Sequence, residues 1–121
     1  MKLTEIGYWR GPEASDDLPA PHDFVDAAWD ADERDLVVQY LERGVVVLGW
    51  MGFSKCRMCG QENGDLDLSD GHYVWPSGFA HYVREHNVRP PLTFVAHVER
   101  VVDGLEKAGR DATWWKSLSS P

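Results

Sequence analysis

The chain has 121 residues, an ordinary apolar fraction of 43%, six tryptophans and a formal net charge of −8. That length fits one domain with a modest core. The acidic balance disfavours a phosphate-binding footprint, no apolar run is long enough to span a membrane, and the start MKLTEIGYWRGPEASDD lacks the apolar segment of a secretory signal.

These features predict a cytoplasmic protein. The charge is uneven. Nine acids lie between Glu13 and Asp35 against one base, Arg34, so this window carries the whole net charge. Its simplest role is a solvated surface; its sharper one is a docking face for a basic partner.

Residues 3–10 read as a short edge strand. Residues 11–23 hold three prolines and no apolar period, so they read as a surface loop. Residues 1–30 thus form an extended acidic segment, with Phe24, Val25 and Trp29 tacking it to the core. A helix is expected over 31–43. Asp30 suits its N-cap, with Glu33 at capping-box spacing, and Asp32, Glu33 and Asp35 suit the positive end of its dipole. Leu36, Val37, Tyr40 and Leu41 form its apolar stripe, and Arg43-Gly44 stops it. Val45-Val46-Val47-Leu48 is continuous and β-branched, which reads as a buried strand running on towards Phe53.

Gly64 to Leu68 alternates as a half-buried strand, Ser69-Asp70-Gly71 turns the chain, and His72 to Trp75 returns it. Pro76 ends that strand, and Ser77 is expected to cap a helix reaching about Asn87. Pro90-Pro91 opens a last helix over 91–108 with a stripe from Phe94 to Leu105, which reads as core. In the tail, 109–121, Trp114-Trp115 is expected to fold back on that core rather than stay exposed. The predicted fold is α+β: a small three-stranded antiparallel sheet or hairpin with a metal knuckle, packed on about three helices. Residues 45–90 form its centre.

That centre, Cys56–His86, holds the only two cysteines and three of the five histidines. Zinc takes four nitrogen or sulfur ligands in a tetrahedron. Cys56 and Cys59, spaced CxxC and followed by Gly60, supply two. His81 and His86, spaced H-x4-H, supply the others. The 21 residues between Cys59 and His81 exceed a usual finger loop, but a hairpin accounts for them. The order knuckle, hairpin, helix is similar to a treble-clef or expanded Cys2His2 finger.

One obstacle is geometric. Residues five apart on an ideal helix are rotated by roughly 140°, so both rings reach one ion only if the helix end is distorted. His72 and His97 are reserve ligands, although His97 falls near the apolar stripe and suits a satisfied core histidine. Two reduced cysteines with unrelated surface histidines is the rival reading. A redox CxxC ranks below both, because a hairpin rather than a helix follows it.

The stretches LPAPHDFVDAAWDADERDLVVQYLERG and SKCRMCGQENGDLDLSDGHYVWPSGFAHYVREHNVRPP carry a resemblance. The chain resembles, from Tyr8 to about Phe94, a group of small bacterial proteins of uncharacterised function with the pattern C-R-x-C-G, N-G, L-T-D-G, W-P-E-G, H-Y-V-x-x-H. Ser69 stands where that pattern has Thr and Ser77 where it has Glu, neither at a proposed ligand. The resemblance implies a bacterial cytoplasmic protein in which Cys56, Cys59, His81 and His86 act together. It implies no activity.

Four protein ligands leave no open position, so such a zinc is structural. The function expected is a non-catalytic module, adaptor or immunity-type, that binds another protein through Asp16, Asp17, Asp30, Asp32, Arg57 or Arg84. The second reading is a nucleic-acid-binding finger using Lys55, Arg57, Arg84 and Arg89. The third is a small metalloenzyme with His72 or water on the ion and Glu62 or Glu85 as base. Ser-His-Asp order, P-loop and dinucleotide motifs are missing from the sequence.

Overall fold

The computed structural model describes residues 1–11 and 17–119. Asp16 and Glu13, at the start of the acidic run, lie outside the described residues. The elements in chain order are β1 (Thr4–Glu5), a 3-10 turn (Pro21–Phe24), α1 (Ala31–Glu42), β2 (Val45–Gly49), β3 (Leu66–Ser69), β4 (Tyr73–Pro76), α2 (Phe79–His86), α3 (Leu92–Lys107) and α4 (Thr113–Ser119). The fold is α+β, as expected, but with four helices and a four-stranded sheet.

The sheet order is β1-β4-β3-β2. β2, β3 and β4 are antiparallel neighbours, and β1 joins the other edge parallel to β4, Thr4 opposite Tyr73. The sheet is therefore mixed, not the three antiparallel strands that the local pattern suggested. Gly7, at φ +79°, lets the chain leave β1 against the ring of Phe79, where a Cβ would lie only 2.5 Å from ring carbons.

α1 begins as its sequence predicts: the Asp30 carboxylate accepts the Glu33 N–H at 3.0 Å. Glu33 turns its own carboxylate to the Trp29 indole N–H, at 2.7 Å, instead of closing a capping box. Val37, Val38 and Leu41 are the buried residues of this helix. They share a core with Trp9, Trp29, Leu68, Trp75, Phe79, Tyr82, Val83, Phe94, Val95 and Val98. The Trp75 indole N–H donates to the Leu41 carbonyl at 3.0 Å, pinning the sheet to α1. Phe24 packs on this core as predicted, while Val25 is exposed and contributes through a backbone bridge to Val88.

Three expectations are corrected. β2 is exposed along its whole length rather than buried, because the helix layer covers β3 and β4 and stops short of the edge. Ser77 does not cap α2; Gly78 occupies the cap position, and the Ser77 hydroxyl accepts the Leu66 N–H instead. Trp114 and Trp115 do not fold back. Their rings meet edge-on in α4 and remain exposed, as does Leu105 in the second half of α3. Among the described residues, no helix is long and apolar enough to cross a membrane.

Candidate metal centre

The cysteines sit on a knuckle folded by its own backbone. Lys55 bridges to Glu62, the Cys56 N–H donates to the Gln61 carbonyl at 2.8 Å, and the Gly60 N–H donates back to the Cys56 carbonyl at 2.9 Å. Gly60 has φ +75°, which an L side chain rarely adopts. The Met58 N–H points at the Cys56 sulfur, 3.4 Å away.

The histidines sit on α2. His86 is its last residue, and Asn87 follows at φ +54°. The N–H groups of Asn87 and Val88 both turn back to the Tyr82 carbonyl, five and six residues earlier. The last turn is therefore wider than an α-turn, and this brings residues five apart nearer to one face. The distortion that an H-x4-H pair requires is present where it is needed, and the two rings lie 5.1 Å apart.

Knuckle and helix meet in one cluster. Cys56 Sγ is 3.5 Å from His86 Nε2, and Cys59 Sγ is 3.4 Å from His81 Nε2. All four ligand atoms lie within 4.8 Å of one another. Bond lengths of about 2.3 Å to sulfur and 2.1 Å to nitrogen imply a sulfur–nitrogen separation of about 3.6 Å around a tetrahedral zinc. The four residues thus lie close enough to hold a metal ion. Cys56 is buried and Cys59 exposed, both as free thiols. Burial, then the neighbouring His86, pushes the His81 imidazole below its ordinary value, towards the neutral form that coordinates metal.

Tyr82, buried on the same helix as the two histidines, also braces the site. Its hydroxyl accepts the Arg57 N–H at 2.7 Å. Burial pushes the phenol up to about 12, opposed by the Arg57 N–H and reinforced by the Cys56 sulfur beside it. Only the folded structure could reveal this contact, since Arg57 and Tyr82 are 25 residues apart.

The reserve histidines are elsewhere. His97 is buried on α3, its Nε2 2.7 Å from Asp70 Oδ2, and His72 packs against its ring. Neither joins the cluster, so His97 is the satisfied core histidine its position suggested. Asp70 also accepts the Tyr40 hydroxyl and the N–H groups of His72 and Tyr73, tying the β3–β4 turn to α1 and α3.

The proposed partner-binding residues are scattered. Asp17 and Asp32 are exposed, and Asp30 serves as the α1 cap. Arg84 pairs with Glu42 at 2.6 Å. The Arg57 guanidinium donates to the Lys55 carbonyl. Arg89 pairs with Asp26 and Glu33 and lies over the Trp29 ring. A cleft of about 640 Å³ beside the knuckle is lined by Tyr8, Trp9, Trp50, Phe53, Asp67 and Tyr82 among others, and by none of the four ligands. A second, more open depression reaches Cys56.

Scans against protein-family models, curated proteins and solved structures found no match to the chain.

Proposed function

We propose that Cys56, Cys59, His81 and His86 bind a structural zinc ion, and that the fold it holds is a non-catalytic protein-binding module, of adaptor or immunity type, in a bacterial cytoplasm. The convergence of two sulfur and two nitrogen donors within 4.8 Å carries the reading. Thiolate with imidazole is the donor set that suits zinc. Four protein donors complete its tetrahedron and leave no place for water or substrate. The resemblance of the 56–86 motif to a group of small bacterial proteins points to the same four residues.

Binding of a protein rather than a nucleic acid is favoured by two surface features. Arg57, Arg84 and Arg89 are each engaged by groups of the chain itself, which leaves less for phosphate. Large apolar side chains are exposed from Val45 to Phe53 and at Trp114-Trp115, and exposed apolar patches mark contact surfaces. Affinity capture from a bacterial host, with wild-type chain and with Cys56→Ser, tests the reading. A stoichiometric protein partner held by wild type and lost with the metal is the expected result. Capture of nucleic acid at physiological salt, weakened by Arg57→Ala with Arg84→Ala, would favour the finger reading instead.

A further inference from the structure

Residues 45–53 carry an apolar surface that neither the core nor the metal centre uses. Val46 lies opposite Leu68, which lies opposite Trp75, so the three share one face of the sheet. Leu68 and Trp75 are buried beneath the helices, but Val46 is 55% exposed. The cover ends one strand short. Beyond it, Val45, Val46, Val47, Leu48, Trp50, Met51 and Phe53 are between 47% and 106% exposed.

We propose that a second copy of this chain covers the surface, the same patch meeting itself about a two-fold axis. The inference rests on the preceding reading only in taking the patch as a protein-binding surface. Val45, opposite Ser69, and Leu48, opposite Asp67, lie on the other face from Val46. The seven side chains therefore expose roughly 800 Å² per copy on both faces of the edge and the loop after it, and a partner wrapping that edge would bury about the half-interface of a standard-size complex.

The chemistry of the patch selects this occupant. From Gly44 to Ser54 the sequence carries no charge. A charged partner finds nothing to pair with on the strip itself, whereas two copies of an acidic chain can meet along it with few charges at hand, Arg57, Asp65 and Asp67 lining the cleft beside Trp50 and Phe53. An isologous contact needs only self-complementarity, which an uncharged apolar strip supplies. An extended peptide is a poorer occupant. The register of β2 on β3 shifts between Val46 and Leu48, and a bulge on an edge strand blunts the addition of another strand. The contact is therefore made by side chains more than by a continued backbone ladder.

Light scattering coupled to size exclusion, on the full chain at concentrations on the order of 10 µM, should give twice the 13.7 kDa chain mass. Val47→Asp with Trp50→Ala should halve that mass while circular dichroism stays unchanged. Trp114→Ala with Trp115→Ala, which alters the other exposed apolar site, should leave the dimer intact. A wild-type monomer, a dimer that survives Val47→Asp with Trp50→Ala, or a dimer lost only on changing Trp114 and Trp115 would each overturn the proposal. If Val47→Asp with Trp50→Ala unfolds, Met51→Glu, at a fully exposed side chain, is the substitute and should dissociate the dimer alike. A monomer that still captures a host protein overturns self-association and leaves the module reading standing. A dimer that captures none supports self-association and counts against the adaptor.

Discussion

The Tyr82 hydroxyl accepts the Arg57 backbone N–H at 2.7 Å, so the helix bearing both histidines is bolted to the knuckle bearing both cysteines by a contact that is not a ligand bond. Groups behind metal ligands typically govern affinity by 10–100-fold. Tyr82→Phe leaves the Arg57 N–H without that acceptor and removes the hydroxyl beside the Cys56 sulfur. We expect metal affinity to fall about 10-fold in competition with a chromophoric chelator, and stability to fall by about 1–3 kcal/mol in urea. Unchanged affinity would mean that the knuckle is positioned without Tyr82.

Asp70 gives the fold a defined acid sensitivity. Burial alone would push its carboxyl up, but the Tyr40 hydroxyl, the Tyr73 and His72 N–H groups and His97 outweigh burial and hold it down at about 2, against an ordinary 3.8. The folded value is the depressed one. Its contribution is therefore fully present above pH 3.8, and is lost as the pH falls from there through about 2. The lost contribution is on the order of 2 kcal/mol. The cysteines and histidines release metal as they protonate, so the test is made at neutral pH with the metal bound. Denaturant unfolding should find Asp70→Asn less stable than wild type by about 2 kcal/mol. Equal stability of the two chains would contradict this account.

Two glycines should respond with opposite signs. A Cβ on Gly44 would lie 2.8 Å from the Trp75 ring and 2.9 Å from the Leu68 Cβ. Gly44→Ala should therefore cost about 1–3 kcal/mol through overpacking. Gly104 lies inside α3 with open space around it, so Gly104→Ala should stabilise by about 0.5–1 kcal/mol. Thermal unfolding of the pair checks both. A neutral Gly44→Ala would show that β2 and its neighbours shift freely, against the close packing seen at Trp75.

What the sequence made legible follows from how local each signal is. The Asp30 cap, the turn at Ser69-Asp70-Gly71 and the four sulfur and nitrogen donors are written in short spacings, and these sit where they were expected. The distorted end of α2 was required by the H-x4-H spacing before it was seen. The exposure of β2 was not legible, because a continuous β-branched run looks the same on a strand covered on both faces as on one covered on neither. The parallel pairing of β1 with β4 joins residues about 70 positions apart, and no local pattern encodes that. The turn at Asp70 could be read, but its carboxylate's partners on α1 and α3 could not, since they come together only when the helices pack.

The central claim, a structural zinc on Cys56, Cys59, His81 and His86, is met most directly by elemental analysis of the purified chain, combined with thermal unfolding before and after chelation. The account predicts about one zinc per chain, with chelation or Cys56→Ser removing both metal and cooperative unfolding, because binding energy at such a site is folding energy. Less than half an equivalent of metal, in a chain that unfolds identically with and without chelator, would contradict it.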